Sequence, residues 1–350
     1  RTSLYLQESK HIGKADNEMT LVDTVMYDNL LPGEEYTVVG TLMDQDSKKP
    51  IQVNGEELTA TTTFTADTTS GSADVSFTFD ASSFAGKTVV AYEKLMYLGT
   101  TVAEHADISD KGQSVQIPKI ETAANDAETK IPVSKADGKV SIEDTVKYEN
   151  LSTDYDYTVN GTLMDKESGE VFMDASGNPV TATAELKPTK SDGTVDVTFT
   201  FDGTGLENRS LVVFENMSCG DLSVASHEDI NDADQTVYFP VIQTEALDAD
   251  TGIHLSRNDK KTTVIDTVSF QNLKPGFEYT IKGILMDKST GKEILVDNKK
   301  VTGTTKFTPT KESGTAQVQF EFDSTSFGGK ELVAFESLYY KDALIAEHND

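Results

Sequence analysis

One pattern occurs three times in this chain, and its period limits the fold more than any other feature. The triplet Asp-Thr-Val recurs with its threonine at Thr24, Thr145 and Thr267, spacings of 121 and 122 residues. A second marker, Leu-Met-Asp, ends at Asp44, Asp165 and Asp287 with the same spacings. A unit of that length is too long for a helical solenoid repeat and suits an autonomous domain. The 350 residues therefore divide into 1–118, 119–240 and 241–350, with boundaries at Pro118 and Pro240 in QIPKIET and YFPVIQT. Connections this short and proline-bearing are stiff, so a semi-rigid rod is expected rather than loosely tethered beads. The chain opens on Arg1 with no secretion leader and closes with no sorting signal. That reads as an excised stretch of something longer.

Within each unit the apolar residues alternate. Val75, Phe77 and Phe79 are interleaved with Ser76 and Thr78, and Val197, Phe199, Phe201 and Val318, Phe320, Phe322 follow the same rule. A period of two marks a strand with one buried face. Pro32-Gly33 and Pro275-Gly276 supply turn signals between such runs. No stretch carries the period of an amphipathic helix. The expected class is all-β, with each unit an antiparallel sandwich.

Strand phase also says which polar residues point inward. Asp23 shares a face with Val25 and Tyr27, Asp144 with Val146 and Tyr148, and Asp266 with Val268 and Phe270. Near the end of each unit a glutamate sits in an apolar strand, in VVAYEKL, LVVFENM and LVAFESL. A histidine follows 12 residues later, and in two copies a glutamine 8 residues after that. These are Glu93, His105 and Gln113; Glu215, His227 and Gln235; then Glu336 and His348 with no glutamine. At the start of units two and three, Thr122 and Thr244 are in phase with apolar neighbours, each 23 residues before the Asp-Thr-Val threonine. The same register in unit one falls on Arg1. A one-residue deletion in the connecting loop makes Thr2 the counterpart.

Composition narrows the possibilities. Fifty-nine acidic against 30 basic residues give a net charge of −29, which disfavours nucleic acid and anionic membrane as partners. One cysteine, Cys219, allows neither an internal disulfide nor a thiol metal cluster. No apolar run approaches the ~20 residues of a membrane span, so no membrane insertion is expected. In so acidic a chain, two carboxylic acids aimed into one core are notable. They cannot both ionise cheaply, and one should hold a proton at neutral pH.

Taken alone, these residues fit either a buried polar network that fixes strand register or a reactive site. In the second reading a threonine hydroxyl attacks the glutamine carboxamide and ammonia leaves. The Asp–Glu pair polarises the amide and the histidine carries the proton. The product is an ester between the start and the end of a unit.

The stretches VAYE, VVFE and VAFE, the Ile-x-Thr opening, DTVxYxNL, GTLMD, and HADISDxxQ with HEDINDxxQ resemble the VaFE-repeat, or T-Q ester-bond, domains of Gram-positive cell-wall-anchored surface adhesins. The resemblance covers the whole chain. It implies three tandem immunoglobulin-like β-sandwich domains and an autocatalytic Thr–Gln ester in each complete one. By that resemblance the cross-links are Thr2–Gln113, assisted by Asp23, Glu93 and His105, and Thr122–Gln235, assisted by Asp144, Glu215 and His227. The third domain matches at Thr244, Asp266, Glu336 and His348 and departs from the pattern by ending before a last strand and its glutamine. The implied function is an extracellular, wall-anchored stalk that acts as a monomeric rod. It would carry a distal domain, outside this chain, to a host-surface ligand. The implied chemistry is a single turnover, with no cofactor and no resident metal. Alternatives are sandwiches that themselves bind host protein or glycan, a turnover hydrolase, and a Lys–Asn isopeptide link, for which no lysine recurs at the Ile-x-Thr position. Asp229, Asp232 and Asp234 suit a solvated acidic loop better than a calcium site.

Overall fold

The computed structural model describes residues 2–6 and 10–349. Arg1 and Asp350 lie outside them. Apart from 3₁₀ turns at Ser82–Phe84 and Lys111–Gln113, the regular structure among the described residues is strand, as the alternation requires. Unit one comprises β1 (Thr2–Leu6), β2 (Met19–Tyr27), β3 (Glu35–Asp44), β4 (Thr59–Thr65), β5 (Gly71–Phe79), β6 (Lys87–Tyr97), β7 (Thr100–His105) and β8 (Ser114–Ile117). Unit two repeats it as β9 (Lys119–Asp126), β10 (Val140–Glu149), β11 (Tyr157–Asp165), β12 (Thr181–Leu186), β13 (Gly193–Phe201), β14 (Arg209–Cys219), β15 (Leu222–His227) and β16 (Thr236–Phe239). Unit three has β17 (Val241–Asp248), β18 (Thr262–Gln271), β19 (Tyr279–Asp287), β20 (Thr302–Phe307), β21 (Gly314–Phe322), β22 (Leu332–Tyr340) and β23 (Ala343–His348).

Each unit is two antiparallel sheets face to face. In unit one a three-stranded sheet, β1-β2-β5, covers a larger one in which β4 pairs β3, β3 pairs β6, and β7 and β8 share the far edge of β6. Units two and three keep this plan, except that no described strand takes the place of β8 in unit three. Alternating side chains fill the space between the sheets, with Phe77, Phe199 and Phe320 at equivalent core positions. Sheets packed this way bury an apolar layer about 10 Å thick.

The two junctions are built alike. Ile12 bridges to Gln116, and Val133 to Tyr238, in parallel pairs at the end of units one and two. Ile12 belongs to the core of unit two, and Val133 and Tyr238 to that of unit three. An asparagine of the following unit then clasps the preceding one. Asn150 Nδ2 donates to Lys87 O (2.7 Å), and its Oδ1 accepts from Thr88 Oγ1 (3.0 Å). Asn272 Nδ2 donates to the carbonyls of Arg209 and Phe239, and its Oδ1 accepts from Ser210. Both asparagines have positive φ, 61° and 55°, a conformation asparagine tolerates better than most residues.

Candidate functional site

The recurring polar residues of each unit meet between the two sheets. One sheet brings the threonine and the aspartate on neighbouring strands. Thr2 is opposite Val25, Thr122 opposite Val146 and Thr244 opposite Val268. Thr2 thus occupies the place of Thr122 and Thr244, as the one-residue deletion requires. The other sheet brings the glutamate and histidine as directly facing pairs, Glu93 with His105, Glu215 with His227 and Glu336 with His348. Gln113 and Gln235 immediately precede β8 and β16. All three aspartates, all three glutamates and both glutamines are buried, as are Thr2 and Thr122; Thr244 is only partly so.

In unit two, Gln235 Nε2 donates to Thr122 Oγ1 (2.5 Å) and to Glu215 Oε2 (2.7 Å). In unit one, Gln113 Nε2 donates to Glu93 Oε2 (2.5 Å), while Thr2 Oγ1 shares a hydrogen bond with His105 Nδ1 (2.9 Å). The hydroxyl therefore touches the imidazole in one copy and the carboxamide in the other. The first contact offers a base for the hydroxyl proton, and the second sets the hydroxyl beside the carboxamide nitrogen, next to the carbon it would attack.

Burial pushes the glutamates far above the usual carboxylate range, Glu93 and Glu336 to about 9 and Glu215 to about 11. The hydrogen bond to, and negative charge of, the neighbouring aspartate push the same way. Asp23 and Asp144 are also raised by burial, and the hydrogen bond from the glutamate pulls them back. Each pair thus keeps a proton at neutral pH, on the glutamate side. That proton is a donor within reach of the aspartates, whose buried oxygens in Asp23, Asp144 and Asp266 otherwise make no hydrogen bond of good geometry to a side chain. The glutamine carbonyl oxygens, Gln113 Oε1 and Gln235 Oε1, are buried without a donor too, so the one acidic proton nearby has an obvious second taker.

Two features escaped the sequence reading. Asp110 Oδ2 lies 3.3 Å from His105 Nε2, and Asp232 Oδ2 lies 2.9 Å from His227 Nε2. Asp232 is therefore an imidazole partner rather than one more solvated acid. The signal was present, an aspartate five residues after each of these histidines. The second is the glycine before Thr-Leu-Met-Asp or Ile-Leu-Met-Asp. Gly40, Gly161 and Gly283 stand opposite the three glutamates. A β-carbon on each would come within 2.5, 2.5 and 2.6 Å of Phe77, Phe199 and Phe320. The tip of the ring, its Cζ, comes up against bare backbone opposite the acid, and only glycine leaves it room.

No group of three or more histidine, cysteine or acidic side chains among the described residues is arranged to hold a metal. No described helix is long and apolar enough to cross a membrane.

Against known proteins, the family model described as "T-Q ester bond containing domain" matches three successive stretches, 1–117, 118–239 and 240–350. No curated protein sequence matches the chain. Two crystal structures of a Mobiluncus mulieris adhesin containing intramolecular disulfide, isopeptide and ester bond cross-links are similar over 63% of this chain and 80% of theirs. Their identities are 14% and 13% and their TM-scores 0.30 and 0.29. A glycosyl hydrolase family 2 member from Bacteroides cellulosilyticus is similar over 71% of this chain and 30% of its own, at 9% identity and a TM-score of 0.26. Likenesses this slight say nothing about chemistry.

Proposed function

The chain belongs to the family of T-Q ester bond containing domains, and from that premise we propose that units one and two each close an ester, Thr2 to Gln113 and Thr122 to Gln235, making this region a covalently stapled stalk of a surface adhesin. The observation that carries the reading is the enclosed contact of Thr122 Oγ1 with the Gln235 carboxamide, 2.5 Å away, beside a glutamate that holds its proton.

His227, backed by Asp232, takes the hydroxyl proton as Thr122 Oγ1 adds to the Gln235 side-chain carbonyl. The Glu215 proton stabilises the oxyanion in a site closed to water. The Cδ–N bond then breaks, the nitrogen receives a proton and ammonia departs. Held this close, the partners gain most of the proximity advantage, up to roughly 7–11 kcal/mol of barrier. The product stays attached, so each site turns over once and the chain is not an enzyme in the ordinary sense. Aspartate and histidine play the same parts in unit one.

The staple needs neither thiols nor an oxidant, which suits a chain with a single buried cysteine outside the cell. We place it on the surface of a cell wall, as a monomeric rod carrying a host-binding domain. Intact mass spectrometry tests the chemistry. The chain should weigh two ammonias less than its sequence, and hydroxylamine should open both links. A full sequence mass would refute the esters.

A further inference from the structure

The Val-x-Phe pattern of β5, β13 and β21 does more than mark a buried face. Its valine stands directly opposite the aspartate on the neighbouring strand, Val75 opposite Asp23, Val197 opposite Asp144 and Val318 opposite Asp266. Its phenylalanine, two residues on, reaches across the apolar layer to the other sheet. There the ring tip meets the glycine that faces the glutamate, Phe77 at Gly40, Phe199 at Gly161 and Phe320 at Gly283. In units one and two the valine crowds the same glycine, its Cγ1 3.2 Å from where a β-carbon would stand. In unit three that point is 2.6 Å from Phe320 Cζ and 3.2 Å from Glu336 Oε1. The room left by the missing side chain is therefore within the carboxyl's own reach, and the ring tip fills it. The three rings are buried, at most 1% exposed. A core asks only for an apolar side chain of suitable volume at such a position. A ring that ends on bare backbone, opposite the acid in all three units, asks for more.

We propose that Phe77 and Phe199 are positioning residues for ester closure: each ring wedges against its glycine, holds the glutamate carboxyl toward the glutamine and keeps water from the carboxyl's flank. This rests on the ester reading above. The ring acts through the acid and takes no part in bond making. With the space over the glycine filled, the carboxyl stays turned to the amide nitrogen, Glu93 Oε2 to Gln113 Nε2 at 2.5 Å and Glu215 Oε2 to Gln235 Nε2 at 2.7 Å. An apolar wall on that side also disfavours the ionised carboxylate, in line with the raised range of both glutamates. A shorter side chain would open the flank to water and let the acid ionise at lower pH.

The test is the pH profile of closure in a refolding chain that carries Phe199→Leu, with unit one as the control inside the same molecule. Leucine keeps the position apolar but falls short of Gly161. Intact mass, followed by proteolytic mapping, assigns each retained ammonia to Gln113 or Gln235. Unit two should lose closure at a pH lower by about one unit or more than in the unsubstituted chain, while unit one keeps its profile. Phe199→Met, closer to the ring in volume and reach, covers the case in which the leucine chain does not fold; its shift should have the same direction and be smaller. Closure slowed by one factor at every pH, or a profile that does not move, overturns the positioning role and leaves the ring as core packing. An unsubstituted chain that retains both ammonias at every pH overturns the ester reading, and the positioning role with it.

Discussion

Glu93 and Glu215 sit where a carboxylate is hard to ionise, sealed between two sheets with an aspartate alongside. The proposed chemistry uses their protonated form, so its pH dependence has a definite sign. Burial and the neighbouring aspartate hold the proton on both glutamates well above the usual carboxylate range. Closure in a refolding chain should therefore fall as pH rises through the raised range of these glutamates, read by intact mass as ammonia retained; closure that does not fall would remove the acid from the mechanism. Glu215→Gln should slow closure of unit two by on the order of 10²–10⁴, the usual worth of a positioned acid, read as ammonia retained at Gln235 with Gln113 unaffected. Before closure, the same acids make stability pH-dependent. In a Thr2→Ala, Thr122→Ala chain the folded state holds protons that the unfolded chain gives up above ~4.3. Their contribution to stability is therefore fully present below that value and is lost as pH rises toward the folded ones, read by denaturant unfolding across pH. At this scale the sequence was readable wherever a residue repeated against an apolar background. Asp110 was not picked out, and Asp232 was read as part of a solvated loop, because in a chain of charge −29 another aspartate in an acid-rich loop looks like solvation.

The strands were readable from alternation, and their faces followed from phase. Asp23 and Val25 are buried and Met26 is largely exposed, as the pattern required. The small two-residue ladders, such as Gln52–Val53 with Glu56–Glu57, left no such trace, because two residues cannot show a period. Nor did the pattern explain the glycine on β3, β11 and β19, whose role depends on a ring from the opposite sheet. Gly161→Ala places a methyl carbon 2.5 Å from Phe199 Cζ, and a ring only 1% exposed has nowhere to retreat. In the Thr122→Ala background, which separates folding from cross-linking, this substitution should destabilise the chain by about 1–3 kcal/mol, measured by denaturant unfolding. An unchanged midpoint would mean the sheets part more easily than their packing suggests.

The three units were also legible, from the period of the repeat. The asparagine clasps were not, since an Asn-Leu after a strand reads as an ordinary turn residue until a second unit is docked on it. A pulling experiment reports on the assembly directly. If Thr122 and Gln235, 113 positions apart, are joined, the chain between them cannot extend; Gln235→Ala should release a step of about 400 Å at 3.3–3.6 Å per residue. A step of that size from units one and two of the parent chain would show that the links are open. The sites are also set close together along the backbone: Gln113 and Thr122 are nine residues apart, as are Gln235 and Thr244. With both esters closed, a load applied from end to end crosses each joint on one short tether that, drawn fully straight, reaches only about 30 Å. Within units one and two, the strands between the linked residues hang beside that path and can melt and re-form without adding any slack to it.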